Sequence, residues 1–398
     1  MRVLVLNTGS SSVKYEVFTR SDAAGDLSSV VSGLVEGVGE TSGAVHVTPA
    51  GGATETEERP VADHDAALGL VVDALARTGA DEDLVAVGHR VVHGGEDFTA
   101  PTLLTDEVVA RIDELAPLAP LHNPPAVAGI RVARRRWGDL PHVAVFDTAF
   151  HTTMPPAVYR YAVPEDWYRE HGVRRFGFHG TSHRYVAGAA ARFLDQPLED
   201  LRLVTLHLGN GASACAIAGG RSVDTSMGLS PLAGLVMGTR SGDLDPGVVF
   251  HLVRGGTDLA EVERVLNRAS GLVGLGGAND VRVLRSAAAD GDGDARLALD
   301  VMTRRIRQYV GAYLAELGGL DALVFTAGIG EHDAATRAEV VEPLGHLGLR
   351  LDPEANGHAD AGDGPVRISP PGVTPAVLVV ATAEEATIAA DTLAIVET

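Results

Sequence analysis

Cysteine is almost absent from this 398-residue chain: Cys215 is the single one. An intrachain disulfide is therefore ruled out, and a reducing compartment fits. Cys215 lies inside an apolar run and reads as a small buried hydrophobe. Positive charge is scarce as well. Lys and Arg number 32 against 53 Asp and Glu, a formal net charge of −21. Nucleic acid and anionic membranes demand a basic face, so this balance argues against both. It does not argue against a nucleotide, because a site can be locally positive on an acidic protein. Long hydrophobic runs are missing too. No stretch has the apolar length needed to span a bilayer. The apolar run after Met1 and Arg2 stops at Asn7, too short for the core of a secretory signal. The expectation is a soluble, cytoplasmic protein.

Several familiar site motifs are lacking. No Gly-x-x-x-x-Gly-Lys-Ser/Thr loop occurs, so this is not a P-loop enzyme. Gly328-Ile329-Gly330 follows a strand-like run without completing the dinucleotide fingerprint. His179 and His183 have no third histidine at a recognisable zinc spacing. What remains is an ordinary globular composition, 45% hydrophobic and 21% charged. The chain is too long for one core, which implies two domains.

The most informative stretch is Leu203 to Ile217. An apolar run breaks at His207-Leu208-Gly209-Asn210-Gly211 and resumes, the pattern of two strands joined by a Gly/Asn turn. Such a turn exposes backbone N–H groups, its glycines allow close approach, and concave N–H arrays bind phosphate oxygens. The N-terminus repeats the pattern: Val3 to Leu6 runs into Asn7-Thr8-Gly9-Ser10-Ser11, and a second strand returns through Phe18. Two similar hairpins far apart in sequence predict a duplicated structure with a nucleotide between its halves.

Between these landmarks strand and helix patterns alternate. Ser21 to Pro60 is rich in Gly, Ser and Glu, with short strand-like pieces such as Ala44 to Val47. Asp65 to Arg77 reads as a helix, Leu84 to Val92 as a buried strand, and His142 to Phe146 as another ending in Asp147. Arg184 to Phe193 is an Ala-rich helix with Thr181 or Ser182 as its expected cap. Asp300 to Leu317 carries apolar residues at helical spacing and leads into the strand Asp321 to Phe325. A last strand, Ala376 to Val380, precedes a C-terminal helix. Glycine-rich 271–277 and acidic 352–364 read as loops. The sum is an α/β fold, which places chemistry at the carboxyl ends of its strands.

Five polar residues stand where apolar strands stop: Asn7, Arg90, Asp147, His207 and Glu384. Arg90 beside Gly94 and Gly95 suits bidentate capture of a carboxylate or phosphate, or else a structural ion pair. Arg240, in a loop too glycine-rich to hold a helix, is either solvated or aimed at an anion, and the setting favours the anion. His179 precedes a helix N-terminus, where the dipole disfavours its protonated form. It reads as a neutral donor to phosphoryl oxygens, with a capping or core histidine as the alternative. Asp147 and Glu384 are candidate Mg²⁺ anchors, since magnesium is held by one or two carboxylates plus phosphates and water.

Taken together, Asn7 to Lys14, His122 to Pro125, Phe146 to His151, Gly177 to His183, His207 to Gly211 and Phe325 to Glu331 resemble the acetokinase family, over essentially the whole chain and in the family's order. That family shares its superfamily with sugar kinases, actin and heat-shock chaperones. The resemblance implies duplicated actin-like, ribonuclease H-like domains with a nucleotide cleft between them. It assigns 1–147 with 383–398 to the first and 148–382 to the nucleotide-binding second. It implies reversible phosphoryl transfer between ATP and acetate, giving acetyl phosphate and ADP, with Mg²⁺ (or Mn²⁺) and a homodimer. Propionate or butyrate kinase remains the alternative within the class, and a non-catalytic actin-like nucleotide-binding protein the one outside it.

By the same resemblance Arg90 and Arg240 bind the acetate carboxylate and the phosphoryl group in flight, and His179 stabilises that group. Asn7 and Glu384 help hold the magnesium. Val92, Leu121, His122, Phe178 and Pro231 surround the acetate. Lys14, His207, Leu208, Gly209, Asn210, Gly211, Asp280, Val281, Arg282, Gly328, Ile329, Gly330, Glu331 and His332 line the nucleotide. Family members commonly carry Asn where this chain has His332. A carboxylate acceptor, with a reference pKa of about 4–5, is already ionised near neutrality and needs no general base. Asp147 is therefore expected to orient a cation or Arg240 and not to accept a proton.

Overall fold

The computed structural model describes residues 1–20, 27–362 and 364–397. Residues 21–26 of the Ser21–Pro60 stretch, residue 363 of the acidic run and residue 398 lie outside the described set. The chain forms two compact units, Met1–Ala149 with Ala383–Thr398, and Phe150–Thr382.

The first unit carries an eight-stranded sheet: β1 (Arg2–Thr8), β2 (Ser12–Arg20), β3 (Leu27–Glu36), β4 (Ala44–Pro49), β5 (Glu55–Glu58), β6 (Leu84–Val91), β7 (Thr102–Leu103) and β8 (His142–Phe146). Its order is β5-β4-β3-β2-β1-β6-β8-β7. Strands β1, β6 and β8 run parallel, and every other pairing is antiparallel. The Gly/Ser/Glu-rich stretch thus holds three real strands and not mere pieces. Their alternation, with Val31, Val35, Val45 and Val47 turned inward, is what a half-covered antiparallel sheet requires.

The second unit carries β9 (Arg202–Leu208), β10 (Ala212–Ala218), β11 (Arg221–Thr225), β12 (Ala322–Thr326), β13 (Val366–Arg367) and β14 (Ala376–Val379). Their order is β11-β10-β9-β12-β14-β13, with β9, β12 and β14 parallel and the rest antiparallel. Strand for strand this repeats β3-β2-β1-β6-β8-β7. The expected duplication is therefore present in the topology itself, and the paired hairpins β1–β2 and β9–β10 occupy equivalent places. In each turn one glycine amide closes the loop: Gly9 N–H donates to the Ser12 carbonyl at 2.8 Å, and Gly209 N–H to that of Gly211 at 3.0 Å.

The central strands are apolar on both faces because helices cover both. Leu4 and Leu6 face the helix His64–Thr78, while Val3 and Val5 meet Ile388, Ala389 and Leu393 of the C-terminal helix Glu384–Val396. Each such aliphatic side chain contributes about 1.5–3 kcal/mol on burial. Gly88 makes that helix fit. A Cβ there would lie 2.4 Å from Thr392 Oγ1 and 2.9 Å from Ile388 Cγ2. Strand β6 therefore carries a hydrogen where the helix crosses.

Several helix readings need correction. The helix expected from Asp300 begins at Gly293, because the Asp292 carboxylate caps it by accepting from the Asp294 and Ala295 amides. Residues Gly271–Gly276, read as loop, form a short helix, and so do Pro353–Gly357 in the acidic run, where the Asp352 carboxylate caps the Glu354 and Ala355 amides.

Candidate active site

In the first unit the polar residues gather at the carboxyl ends of β1, β6 and β8. Arg90 is the penultimate residue of β6 and Asp147 follows β8 directly. Arg90 Nε and Nη2 donate to the two Asp147 carboxylate oxygens at 3.0 and 2.7 Å, a fork-on-carboxylate pair. The cation that Asp147 orients is thus Arg90. Arg240 belongs to the other unit. Glu384, in the first turn of the C-terminal helix, approaches Arg90 Nη2 at 3.7 Å. Asp147 is buried, and that burial pushes its carboxyl above the usual range while the Arg90 guanidinium pulls it back. Arg90 in turn is held above its ordinary value by Asp147 and Glu384 against its own desolvation.

Asn7 lies opposite Lys14 across the β1–β2 ladder. Lys14 is ion-paired with Glu385, a neighbour of Glu384 that the sequence reading did not single out. His122 precedes the helix Asn123–Arg136, and its charge bears on the Asp147 carboxyl. Val92 is half-buried and Leu121 is 49% exposed, both in this unit.

In the second unit the residues converge on the β9–β10 turn. A Cβ built on Gly211 would lie 3.5 Å from His179 Nε2 and 3.7 Å from Arg240 Nη1. The bare glycine therefore leaves room beside an imidazole and a guanidinium at once. Arg240 is half-buried, and Nη1 donates to the Pro231 carbonyl at 3.1 Å. Among the described residues no carboxylate pairs with it, and burial lowers its pKa from the ordinary arginine value. An uncompensated guanidinium in a partly desolvated place is costly unless an anion arrives.

His179 sits at φ 56°, ψ 25°, a left-handed conformation sparsely populated by residues other than glycine, directly ahead of the helix Gly180–Leu194. The helix begins four residues earlier than expected, and neither Thr181 nor Ser182 caps it. Both are buried in its first turn, and Ser182 Oγ instead bonds His207 Nδ1 at 2.9 Å and Thr382 Oγ1 at 3.1 Å. The His207 ring stacks on His179, centroids 4.1 Å apart.

A cavity of about 840 Å³ opens beside this turn, lined by Gly209, Asn210, Asp280, Val281, Arg282, Gly328, Ile329 and His332, all expected from sequence. Asn279, Arg285 and Asp333 complete it. These three were missed. Arg285 stands one helical turn beyond Arg282, a spacing that could have found it. Other expected members do different work. Asp280 caps the helix Val281–Ala289 and pairs with the exposed Arg282. The Leu208 side chain is buried in the core, and Glu331 Oε1 accepts from the Thr382 amide at 3.1 Å. Gly330 is buried, as is Phe178, whose carbonyl is bonded to His151 Nε2. Pro231 is half-buried in this unit.

Three buried histidines make the fold sensitive to acid. His151 Nε2–H donates to the Phe178 carbonyl at 2.9 Å and Nδ1 accepts from Ser222 at 2.8 Å, satisfying a neutral ring. Burial lowers its pKa to about 4, and burial likewise holds His183 and His89 well below the ordinary histidine value. The unfolded chain takes up these protons from about pH 6.5 downward, so stability is full above that pH and lost as pH falls toward the folded value. From His151 alone the expected loss between about pH 7.5 and 5 is about 2 kcal/mol. Thermal unfolding across that range checks it, and a midpoint that does not fall would contradict the assignment.

A twice-repeated sheet of this order, with a phosphate-suited hairpin in each unit and an anion-seeking arginine over one of them, defines a protein of the actin-like class. The family model described as the Acetokinase family matches residues 2–390. The acetate kinase of Streptomyces avermitilis is 52% identical over 402 residues, covering 100% of this chain and 98% of its own length. Among solved structures, Porphyromonas gingivalis acetate kinase aligns with a TM-score of 0.92 at 41% identity, covering 99% of each chain. A propionate kinase from Francisella tularensis aligns with the same TM-score at 38% identity, again over 99% of each chain. The chain belongs to the acetokinase family.

Proposed function

We propose that this protein transfers the terminal phosphoryl group of ATP to acetate, reversibly, giving acetyl phosphate and ADP. The observation that carries the proposal is the pair of donors over Gly211: the His179 imidazole and the Arg240 guanidinium, the latter without a carboxylate partner among the described residues. Phosphoryl transfer needs positioning and charge neutralisation more than covalent help. Arg240 and His179 take the equatorial oxygens of the moving group. Arg90, held by Asp147, has remaining donors suited to the acetate carboxylate, and Val92 and Leu121 are the apolar residues of the same unit suited to its methyl. The cavity beside the turn takes the adenosine, within the size range of nucleotide sites.

Magnesium fits the donors present. Among the described residues no cluster of three or more His, Cys, Asp or Glu could hold an ion by itself. Asn7 and Glu384 would supply a carbonyl oxygen and a carboxylate, the sparse set typical of an ion that arrives with phosphates. Bound there, it would neutralise phosphate charge. A homodimer is supported by the helix Gly247–Arg254, which buries none of its own residues and exposes Val248, Phe250, Leu252 and Val253. No helix among the described residues is long and apolar enough to cross a membrane, which is compatible with a cytoplasmic enzyme.

The test is purified protein with Mg-ATP and acetate, propionate, butyrate or no acid, the acyl phosphate being trapped with hydroxylamine. Acetate is expected to give the highest kcat/KM, exceeding propionate by about tenfold or more, since one methylene in an apolar pocket is worth about 1–3 kcal/mol. A larger signal with a longer acid would change the substrate and keep the mechanism. No acyl phosphate from any acid would overturn the proposal, and light scattering with ATP would then test for a filament.

A further inference from the structure

A chain of buried side chains runs behind His179 and ends at a threonine no site motif includes. His179 Nδ1 lies 2.9 Å from Ser213 Oγ, and the same oxygen lies 2.8 Å from His183 Nε2. His183 Nδ1 lies 2.7 Å from Thr205 Oγ1. Ser213, His183 and Thr205 are each 0% exposed. Thr205 stands in β9, Ser213 in β10, and His183 in the helix that His179 precedes.

The proton count in this chain allows two arrangements. Burial keeps His183 neutral, with one N–H and one lone pair. In the first arrangement Thr205 O–H donates to His183 Nδ1, His183 Nε2–H donates to Ser213, and Ser213 O–H donates to His179 Nδ1. A neutral His179 then carries its proton on Nε2, the atom beside Gly211 and Arg240. In the second arrangement every bond reverses: His179 Nδ1–H donates to Ser213, Ser213 to His183 Nε2, and His183 Nδ1–H to Thr205. A neutral His179 is then left with a bare lone pair on Nε2, facing the phosphoryl oxygens it should bind. The far end decides between them. Among the described residues the Thr205 hydroxyl has no partner besides His183. The second arrangement would leave its proton buried and unpaired, a state that folded proteins avoid. The first satisfies every donor.

We propose that Thr205, His183 and Ser213 are positioning residues that fix the tautomer of His179, holding Nδ1 as an acceptor so that Nε2–H is the donor to the transferring phosphoryl group. This deepens the reading of the site as a phosphotransferase and rests on it. The stacked His207 ring holds the imidazole plane, and Ser213 is the hydrogen-bond partner at Nδ1.

The experiment uses the full chain labelled with ¹⁵N-histidine. Long-range proton–nitrogen spectra report which nitrogen carries hydrogen, and the His179 signals are assigned by their loss in His179→Asn. Wild type is expected to show the Nε2–H form. Thr205→Val keeps the shape of a buried β-branched residue and removes the hydroxyl. With valine there, either arrangement leaves His183 Nδ1 unpaired, so the bias is expected to fall: the Nδ1–H form of His179 becomes detectable beside Nε2–H, and kcat drops by up to about tenfold, the worth of one hydrogen bond, with the KM for acetate unchanged. Thr205→Ser should restore both readouts, and Ser213→Ala should reproduce the tautomer change if Thr205→Val folds poorly. An Nδ1–H form in wild type would overturn the proposal. So would an unchanged His179 tautomer in both Thr205→Val and Ser213→Ala. A wild-type protein that makes no acyl phosphate overturns the assigned reaction instead, and the spectra still decide the tautomer.

Discussion

Arg240→Ala is expected to lower kcat by about a thousandfold and leave the protein as stable as wild type, because removal of one preorganised charge donor from a transition state costs about 10²–10³ in rate. The two halves of that expectation have one cause. Arg240 is half-buried, has no carboxylate partner among the described residues, and Nη1 is tied to the Pro231 carbonyl at 3.1 Å and to Met237 Sδ at 3.8 Å. In the free protein its charge is desolvated without compensation, so truncation removes a cost along with a weak bond. When phosphoryl oxygens are present, the same desolvation strengthens the attraction. Arg240→Lys is expected to recover only part of the rate, since an ammonium keeps the charge and loses the planar fork. The checks are kcat by hydroxamate trapping and the unfolding midpoint of the same samples. A midpoint that drops sharply, or a kcat within about tenfold of wild type, would mean that Arg240 is a structural residue.

Asp147→Asn has the opposite signature, damaging stability and activity together. Asp147 is buried and supplies both acceptors to the Arg90 fork at 3.0 and 2.7 Å. Asparagine keeps one oxygen and turns an amide N–H₂ toward a guanidinium that cannot accept. Removal of one partner of a buried pair costs about 3–5 kcal/mol. Glu384 at 3.7 Å remains to share the Arg90 charge, so the expected loss lies near the lower end, about 3 kcal/mol. With Arg90 no longer aimed, kcat/KM for acetate is expected to fall by about a hundredfold, the scale of a misplaced positioning group. The pH profile separates this role from general-base catalysis. Burial raises the Asp147 carboxyl above its ordinary range, so a base would lose activity as pH falls through that raised value, and the asparagine variant would lose the dependence. Positioning predicts a hundredfold loss that is nearly the same at each pH. A rate that tracks Asp147 protonation in wild type and not in the variant would sink the positioning role.

Much of this architecture was legible in the chain because its signals are local. The run Val3 to Leu6 is apolar in both parities, and Leu203 to Leu206 departs from that only at Thr205, a pattern that only a strand covered on both faces permits. The Gly/Asn turn after His207 marks a hairpin wherever it occurs. Errors fell where a neighbour outside the window decided. Thr181 and Ser182 look like caps, yet the backbone at His179 adopts a left-handed turn that starts the helix sooner. Gly271–Gly276 has the composition of a loop, and its helical first turn is satisfied by carbonyls far away in sequence: Leu272 N–H donates to that of Met237 at 2.9 Å and Val273 N–H to that of Gly238 at 3.0 Å. Arg285 lines the cavity from the helix Val281–Ala289 and Asp333 from the break between two later helices, and no motif connects them.

The sequence by itself determined the class of the fold, its duplication, and the residue types at the strand ends, since hydrophobic period and turn chemistry are properties of a few consecutive residues. Only the tertiary structure decided which of those residues act on one another. The Arg90–Asp147 fork joins residues 57 apart in the chain, and the bonds behind His179 reach Ser213 across 34 residues and link His183 to Thr205 across 22. A hydrogen bond depends on distance and direction to within a few tenths of an ångström. That accuracy comes from strand pairing and helix packing over the whole unit, and no local pattern encodes it.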